Sequence, residues 1–127
     1  MSWQEYVDKQ LIGTGKVVKA GIYGHDGSPW AISKDFKVTV AEVGVLNAAF
    51  DNISNIAANG IFIEGEKYLF VRQADVNIIY GRKGTDPIIA VKTGQTIIIG
   101  VGDEQRVAGD LNGVVEGLAT YLIGCGY

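Results

Sequence analysis

The sequence predicts an α+β fold, in which a central antiparallel β-sheet carries the terminal helices packed on it. Strand-like runs in the middle of the chain are separated by glycine and aspartate turn signals, and helical patterns stand at both ends. No helix of adequate length lies between these runs, so we expect them to pair antiparallel as a meander. Eighteen glycines against two prolines agree with many turns between short elements.

The N-terminal part is expected to form a helix and a β-hairpin. Ser2 is a suitable N-cap for a helix that runs to Ile12, just before a glycine-rich break. Residues 16–23 are expected to form a strand, residues 25–28 a turn, and residues 30–33 the partner strand.

A second helix is predicted from a capping box. Thr39 and Glu42 have the required spacing, and the apolar residues that follow extend the helix through Phe50. Residues 52–59 are expected to be a loop that leads into the central strands.

The central strands and the last helix follow from changes in hydrophobic period. The strands are predicted at residues 61–63, 67–72, 77–80, 88–91 and 96–101. Residues 111–123 are expected to form a helix, because Leu111, Val115, Leu118 and Leu122 fall on one stripe. Gly124 is the predicted C-cap.

Composition indicates one ordinary soluble domain over residues 1–127. The net charge of −3 gives no general reason to expect nucleic acid as a partner. A single cysteine favours a reducing compartment. No apolar run approaches the roughly 20 residues that a membrane helix needs, and the first residues do not resemble a signal peptide. We therefore expect a cytoplasmic protein without a transmembrane segment.

Catalytic patterns are weak throughout the chain. His25 is the only histidine and is expected in an exposed turn, while Cys125 near a helix C-terminus is expected to be an ordinary thiol. The Gly81–Gly84 segment lacks the form of a phosphate-binding loop, and the acidic residues do not have calcium-loop spacing. The sequence therefore predicts no catalytic residue, no metal, no cofactor and no enzyme activity.

Large aromatic residues cluster at the chain ends and in the first hairpin: Trp3, Tyr6, Trp30, Tyr121 and Tyr127. Helical geometry places Tyr6 about 60° from Trp3, and Tyr121 about 90° from the apolar stripe of the last helix. Both tyrosines are thus expected half outside the core. One interpretation is that these rings only seal the edges of the helix–sheet interface. The other is a groove for a polyproline II helix, whose proline rings pack flat on aromatic faces.

Three segments give the chain a resemblance to a known family. Residues 2–8 read SWQEYVD, residues 80–84 read YGRKG, and residues 121–127 read YLIGCGY. Together with the length and the element order, they resemble the profilins, with the character of those from amoebae and lower eukaryotes. The resemblance implies that the two terminal helices share one face of the sheet and short helices cover the other. It also implies that the five aromatic residues named above form a site for proline-rich peptides.

The resemblance further implies a function in the cytoskeleton. Profilins bind monomeric actin, favour nucleotide exchange on it, carry it to proline-rich actin assembly factors, and bind phosphoinositide lipids. The matching actin-binding positions are Lys67, Arg72, Arg82, Lys83, Lys92, Asn112 and Glu116. Gly113 and Gly117 stand where some profilins have larger side chains, which bears on the actin affinity.

Charge supports this assignment in part. Five of the eleven Lys and Arg residues lie between positions 67 and 92, against two acidic residues there, which suits steering towards an acidic partner. A solvated sheet edge protected by lysines is the alternative. Lys67 and Arg72 would face opposite sides of a regular strand, so either a bulge intervenes or one of them is outside the site.

Two other functions remain open from the sequence. The first is a small-molecule sensor with a cavity near Val43, Leu46 and Phe50, between the sheet and the central helix. The second is a phosphoinositide-binding regulator whose actin contact is vestigial.

Overall fold

The N-terminal helical segment forms as its local chemistry dictates. The structure is a computed structural model that describes residues 2–127. The Ser2 hydroxyl accepts a 3.2 Å hydrogen bond from the Glu5 main-chain N–H, and Glu5 Oε1 accepts one from the Ser2 N–H at 3.4 Å. This capping box starts the segment α1, an α-helical turn Trp3–Glu5 that continues as a π-helical stretch Tyr6–Leu11 and a 3₁₀ turn Ile12–Thr14. The predicted start is confirmed, but the helical segment continues two residues past the predicted end at Ile12, and most of it is not regular α-helix.

Within residues 2–127, seven strands form one antiparallel sheet in the order β2-β1-β7-β6-β5-β4-β3. They are β1 Lys19–Gly24, β2 Pro29–Ile32, β3 Ile61–Ile63, β4 Glu66–Asp75, β5 Ile78–Lys83, β6 Asp86–Lys92 and β7 Thr96–Val101. The predicted meander is confirmed for β3 to β7, and the hairpin of β1 and β2 joins it through the β1–β7 pair.

Three further helices complete the fold: α2 Val40–Ala49, α3 Ser54–Asn59 and α4 Ala108–Gly124. The capping box predicted for α2 is confirmed, since the Thr39 hydroxyl accepts from the Glu42 N–H at 3.1 Å and Glu42 Oε1 accepts from the Thr39 N–H at 2.9 Å. Among residues 2–127, no helix is long and apolar enough to span a membrane.

The loop predicted at residues 52–59 was wrong, because α3 occupies most of it. Asn52 Oδ1 accepts a hydrogen bond from the Ser54 N–H at 3.0 Å, which starts the turn, and Ile56 anchors it in the core. A helix with one buried apolar residue shows no hydrophobic period, so the pattern gave no signal. The start predicted for α4, residue 111, was also late, because its first turn begins at Ala108.

The two faces of the sheet carry separate cores. On the α4 face, α1 and α4 pack on residues such as Ile22, Ile89 and Ile98. On the α2 face, α2 and α3 pack on residues such as Ile79 and Ile97. This arrangement confirms the expected placement of terminal helices on one face and short helices on the other.

The side chains expected to line a sensor cavity belong to the core instead. Val43, Leu46 and Phe50 are buried on the α2 face together with Ile56 and Ile79. Close packing of these residues does not favour a small-molecule sensor.

A bulge in β4 resolves the parity of Lys67 and Arg72. The pairing of β4 with β5 shifts between Phe70 and Arg72, which leaves Val71 as the extra residue. Tyr68 and Phe70 therefore pack on the α2 face before the bulge, and Gln73 reaches the Phe50 carbonyl on that face after it. By alternation, Lys67 and Arg72 both face the α4 side.

Candidate functional site

Five aromatic rings meet in one cluster, which we call the aromatic surface: Trp3, Tyr6, Trp30, Tyr121 and Tyr127. Trp3 is its centre, with ring centroids 4.9 Å from Trp30, 4.9 Å from Tyr127 and 5.6 Å from Tyr6. Tyr121 extends the cluster, because its centroid lies 6.1 Å from that of Tyr6. Edge-on and tilted pairs at such distances are favourable aromatic contacts.

The aromatic surface remains accessible to water. Trp3, Tyr6 and Trp30 are half-buried, while Tyr121 is 56% and Tyr127 39% exposed. The rings therefore contact the edge of the core and also leave part of their surface open to water. This matches the expectation that the two tyrosines of the helices lie on the flanks of their apolar stripes.

Local contacts bring Trp3 and Trp30 together. Gln4 Nε2 donates a 2.8 Å hydrogen bond to the Ile32 carbonyl, which ties α1 to the end of β2. Gly24 lies close to Trp30, because a Cβ there would stand 2.8 Å from Asp26 Oδ1 and 3.0 Å from Trp30 Nε1. A larger residue at this position would therefore press on the side chains of the hairpin turn, including the Trp30 ring.

The end of α4 places Tyr127. Gly126 has φ +93° and donates to the Ile123 carbonyl at 3.1 Å, and the Tyr127 N–H donates to the Leu122 carbonyl at 2.9 Å. These two bonds make a Schellman motif with Gly126 as its left-handed residue. The predicted cap at Gly124 was wrong, because the helix includes Gly124 and has Cys125 as its C-cap.

The hydroxyl of Tyr121 is held in its protonated form. The neighbouring side chains of Cys125 and Tyr6 raise the pKa of Tyr121 to about 12. At neutral pH this phenol is therefore an uncharged donor and acceptor at the edge of the aromatic surface.

An open groove of about 550 Å³ continues from the aromatic surface between α1 and α4. Tyr6 and Tyr121 belong to both, and the remaining lining residues are Gln10, Thr14, Gly113, Val114, Gly117 and Leu118. A Cβ at Gly113 or Gly117 would meet nothing within 4 Å, so the missing side chains widen this groove. The two glycines singled out in the sequence thus line this groove.

A second set of polar residues lies on the α4 face, where β4 and β5 approach α4. The Arg72 guanidinium carbon stands 5.2 Å from the centroid of the Tyr80 ring, a cation–π contact. The Tyr80 hydroxyl donates to Glu116 Oε2 at 2.8 Å, which links β5 to α4. Burial and this hydrogen bond raise the pKa of Tyr80, which stays neutral and keeps donating.

Arg82 and Asn112 extend this set around a cavity of about 370 Å³. The other lining residues are Val71, Tyr80, Gly81, Gly84, Thr85, Pro87, Ile88 and Ala108. Val71 is 50% exposed and comes from the bulge of β4, so an apolar wall stands beside the charges. We call Arg72, Tyr80, Arg82, Asn112 and Glu116 the arginine surface.

The three lysines of the predicted actin site are placed differently. Lys67 faces the α4 side, on β4, as does the arginine surface. Lys83 lies an even number of residues from Ile79 on β5, and Lys92 lies an even number from Ala90 on β6. Because side chains alternate along a strand, both lysines point to the α2 side of the sheet, away from the arginine surface. Lys83 also forms a 2.8 Å ion pair with Glu66, which lowers the pKa of that carboxyl.

The sequence did not predict the residues that hydrogen-bond to the main chain beneath the aromatic surface. Thr93 and Gln95, in the turn between β6 and β7, bond to the main chain of Tyr127. Nothing in a TGQT turn indicates contact with a residue more than thirty positions later. This contact becomes visible only in the folded structure, where the turn between β6 and β7 lies next to the end of α4.

The fold is that of a profilin-like α+β protein. Both terminal helices pack on one face of an antiparallel sheet, and aromatic rings from both ends of the chain form one cluster at the surface. The sequence matches the profilin family over residues 1–127. It is 46% identical to profilin-2 of Acanthamoeba castellanii and 45% identical to profilin-A of Physarum polycephalum, over the whole of each chain. The crystal structure of Acanthamoeba castellanii profilin II has a TM-score of 0.95, with 99% of this chain and 100% of that chain covered. The chain belongs to the profilin family.

Proposed function

We propose that this protein is a two-sided adaptor, which binds proline-rich peptides on the aromatic surface and monomeric actin on the arginine surface. The observation that carries the proposal is that five aromatic rings converge into one exposed cluster. These rings come from α1, from β2, from α4 and from Tyr127, which follows α4. Membership of the profilin family supports both activities. No bond is made or broken in this function.

Proline-rich peptides suit the aromatic surface for physical reasons. A polyproline II helix is formed before binding, so it loses little conformational entropy. Its proline rings pack on indole and phenol faces, and its carbonyls, which have no internal partners, accept bonds from Trp N–H and Tyr O–H donors. The neutral hydroxyl of Tyr121 is one such donor.

Monomeric actin is proposed for the arginine surface, where guanidinium groups stand beside an apolar wall. Arg72 and Arg82 supply positive charge, and Val71 with the adjacent cavity supplies area for apolar contact. Such a combination allows charge to accelerate association and apolar burial to slow dissociation. Binding here is proposed to favour nucleotide exchange on actin.

The two proposed surfaces are separate but share one rigid element. Asn112 belongs to the arginine surface and Tyr121 to the aromatic surface, and both lie on α4. They are nine positions apart on the helix, which corresponds to about 14 Å along the axis. One molecule can therefore hold a proline-rich assembly factor and an actin monomer together, in the cytoplasm at the actin cytoskeleton.

Phosphoinositide lipids are a further proposed partner, because their anionic headgroups suit the same cations. Lys67, Arg72 and Arg82 share the α4 side of the sheet, so lipid and actin would compete for them. If the actin contact were vestigial, lipid binding would remain while actin failed to associate.

Retention on immobilised poly-L-proline tests the proposal. The protein should be retained, and should elute with urea but not with salt, because the contacts are apolar and hydrogen-bonded. Resin loaded with the protein should then retain monomeric actin in a salt-dependent way. Failure to bind the resin would contradict the peptide site, and loaded resin that ignores actin would contradict the two-sided arrangement.

A further inference from the structure

The turn between β6 and β7 holds the main chain of the last two residues. The Thr93 hydroxyl donates to the Tyr127 carbonyl at 2.9 Å, and the Gln95 N–H donates to the same oxygen at 2.6 Å. Gln95 Nε2 donates to the Gly126 carbonyl at 3.2 Å. Three bonds from one turn therefore fix the backbone that carries the Tyr127 ring.

The Thr93 hydroxyl has two main-chain acceptors within reach, the Tyr127 oxygen at 2.9 Å and the Thr96 carbonyl at 3.5 Å, and the Tyr127 oxygen is the closer. Thr93 is 5% and Thr96 0% exposed, so neither hydroxyl is free to turn towards bulk water. Thr93 Oγ1 accepts from the Thr96 N–H at 3.0 Å and lies 2.6 Å from Thr96 Oγ1. Since a hydroxyl has one proton, the bond from Thr93 to Tyr127 requires Thr96 to be the donor between the two threonines.

The same turn also reaches the hairpin that carries Trp30. His25 Nε2 stands 3.0 Å from the Thr93 carbonyl, and because a carbonyl only accepts, the histidine donates there. Gly24, the neighbour of His25, lies close to Trp30, since a Cβ there would stand 3.0 Å from Trp30 Nε1. Residue 93 is thus bonded through its side chain to Tyr127 and through its carbonyl to the Trp30 hairpin.

We propose that Thr93 is a positioning residue for peptide binding, which sets Tyr127 edge-on against Trp3 without touching the ligand itself. This inference rests on the proposed function of the aromatic surface. Without the Thr93 hydroxyl, the main chain of Tyr127 loses one of the hydrogen bonds that fix it to the turn. The Tyr127 ring is then less restrained and samples positions away from Trp3. The aromatic surface then binds a proline helix less tightly, although every ring is still present.

Calorimetric titration with a proline decamer tests this inference. Thr93→Val keeps the shape but removes the hydroxyl, and should weaken binding about five- to tenfold, the size expected for one lost hydrogen bond. Thr93→Ser keeps the hydroxyl and should restore binding to within about twofold of the unmodified protein. A purely structural role for the methyl group would give the opposite order.

A double-mutant cycle with Tyr127→Ala decides whether the effect passes through that ring. In the Tyr127→Ala background, Thr93→Val should cause no further loss of affinity. Equal losses in both backgrounds, or unchanged affinity of Thr93→Val, would overturn the inference while leaving the peptide site intact. A decamer that fails to bind the unmodified protein would overturn the proposed function instead, and this inference with it.

A variant on the surface guards against a folding defect in Thr93→Val. Gln95 is exposed, so Gln95→Ala removes the bond to the Gly126 carbonyl without disturbing the core, and should weaken decamer binding about twofold. Gln105→Ala, at another exposed glutamine that lies outside the aromatic surface, is the matched control and should bind normally. Equal affinity of both glutamine variants would count against the positioning role of the turn.

Discussion

The rings of Trp3 and Tyr127 meet edge-on, with centroids 4.9 Å apart and planes at 87°. They come from the first helical turn and from the residue that follows the capping turn of α4. Because Trp3 also contacts Trp30, one indole joins three elements, α1, β2 and the end of α4. The cluster therefore fastens the terminal elements to the sheet edge and presents aromatic faces at the same time.

Trp3→Ala tests the role of this central ring. The substitution should weaken binding of a proline decamer by roughly 2 kcal/mol or more, as for a central aromatic anchor, and leave binding of monomeric actin unchanged. Calorimetry with the decamer and sedimentation with actin measure the two effects. Phe62→Ala removes an aromatic ring that is 44% exposed on β3, away from the cluster, and should leave decamer affinity as it is.

Arg72→Glu tests the arginine surface. Reversal of this charge should lower the association rate with monomeric actin several-fold, with an effect that shrinks as salt is added, and should spare decamer binding. Stopped-flow measurement at low and high salt gives the comparison. Lys34→Glu, in the turn after β2, makes the same change of net charge elsewhere. If Lys34→Glu slowed association equally, the effect would come from overall charge and the assigned surface would be wrong.

Lys83→Glu separates the two sides of the sheet. Lys83 points to the α2 side and is already paired with Glu66, so its reversal should slow actin association less than Arg72→Glu. The same stopped-flow assay applies. An effect of Lys83→Glu larger than that of Arg72→Glu would move the proposed actin contact to the opposite face.

Tyr23→Phe should stabilise the protein. Tyr23 is 1% exposed, and its hydroxyl has no hydrogen-bond partner among residues 2–127. Removal of a buried hydroxyl without a partner should raise the free energy of unfolding by about 1 kcal/mol, measured by urea denaturation at pH 7. Tyr80→Phe is the opposite case, because it breaks the bond to Glu116 and should lower that free energy by about 1 kcal/mol.

The buried tyrosines Tyr23 and Tyr68 predict a loss of stability in alkali. Burial, with the negative charges of Glu64 and Glu42, raises the pKa of Tyr23, and burial with nearby carboxylates raises the pKa of Tyr68 to about 12. In the unfolded chain a tyrosine has a pKa near 10, whereas in the folded protein these two have a higher pKa. Their contribution to stability is therefore complete below about pH 10 and is lost as the pH rises towards the folded-state pKa, because only the unfolded chain releases the proton in that range. The free energy of unfolding should therefore fall above about pH 10, and less steeply in Tyr23→Phe. A flat profile up to pH 12 would contradict this.

Part of the structure followed from the sequence because its causes are local. The predicted N-cap at Ser2 and the predicted capping box of Thr39 with Glu42 act over three residues, and both are formed. The flanking positions of Tyr6 and Tyr121 followed from helical geometry. The family resemblance gathered the five rings into one site, and their role in binding remains a prediction.

Other features depend on contacts that no local pattern records. The bulge at Val71 arises from the pairing of β4 with β5, and the sequence could offer it only as one of two alternatives. The family resemblance grouped Lys83 and Lys92 with Arg72, and strand alternation places these two lysines on the other side of the sheet. The bond from Thr93 to Tyr127 joins two turns that only the complete fold brings together.

Heteronuclear NMR titration of the indole N–H groups with a proline decamer tests the aromatic surface most directly. The protein has two tryptophans, Trp3 and Trp30, whose signals can be assigned by substituting either one. We expect both signals to shift and to saturate with one dissociation constant, while amide signals of α2 stay in place. Indole signals that remain unmoved at saturating decamer, or shifts confined to another face, would contradict the account.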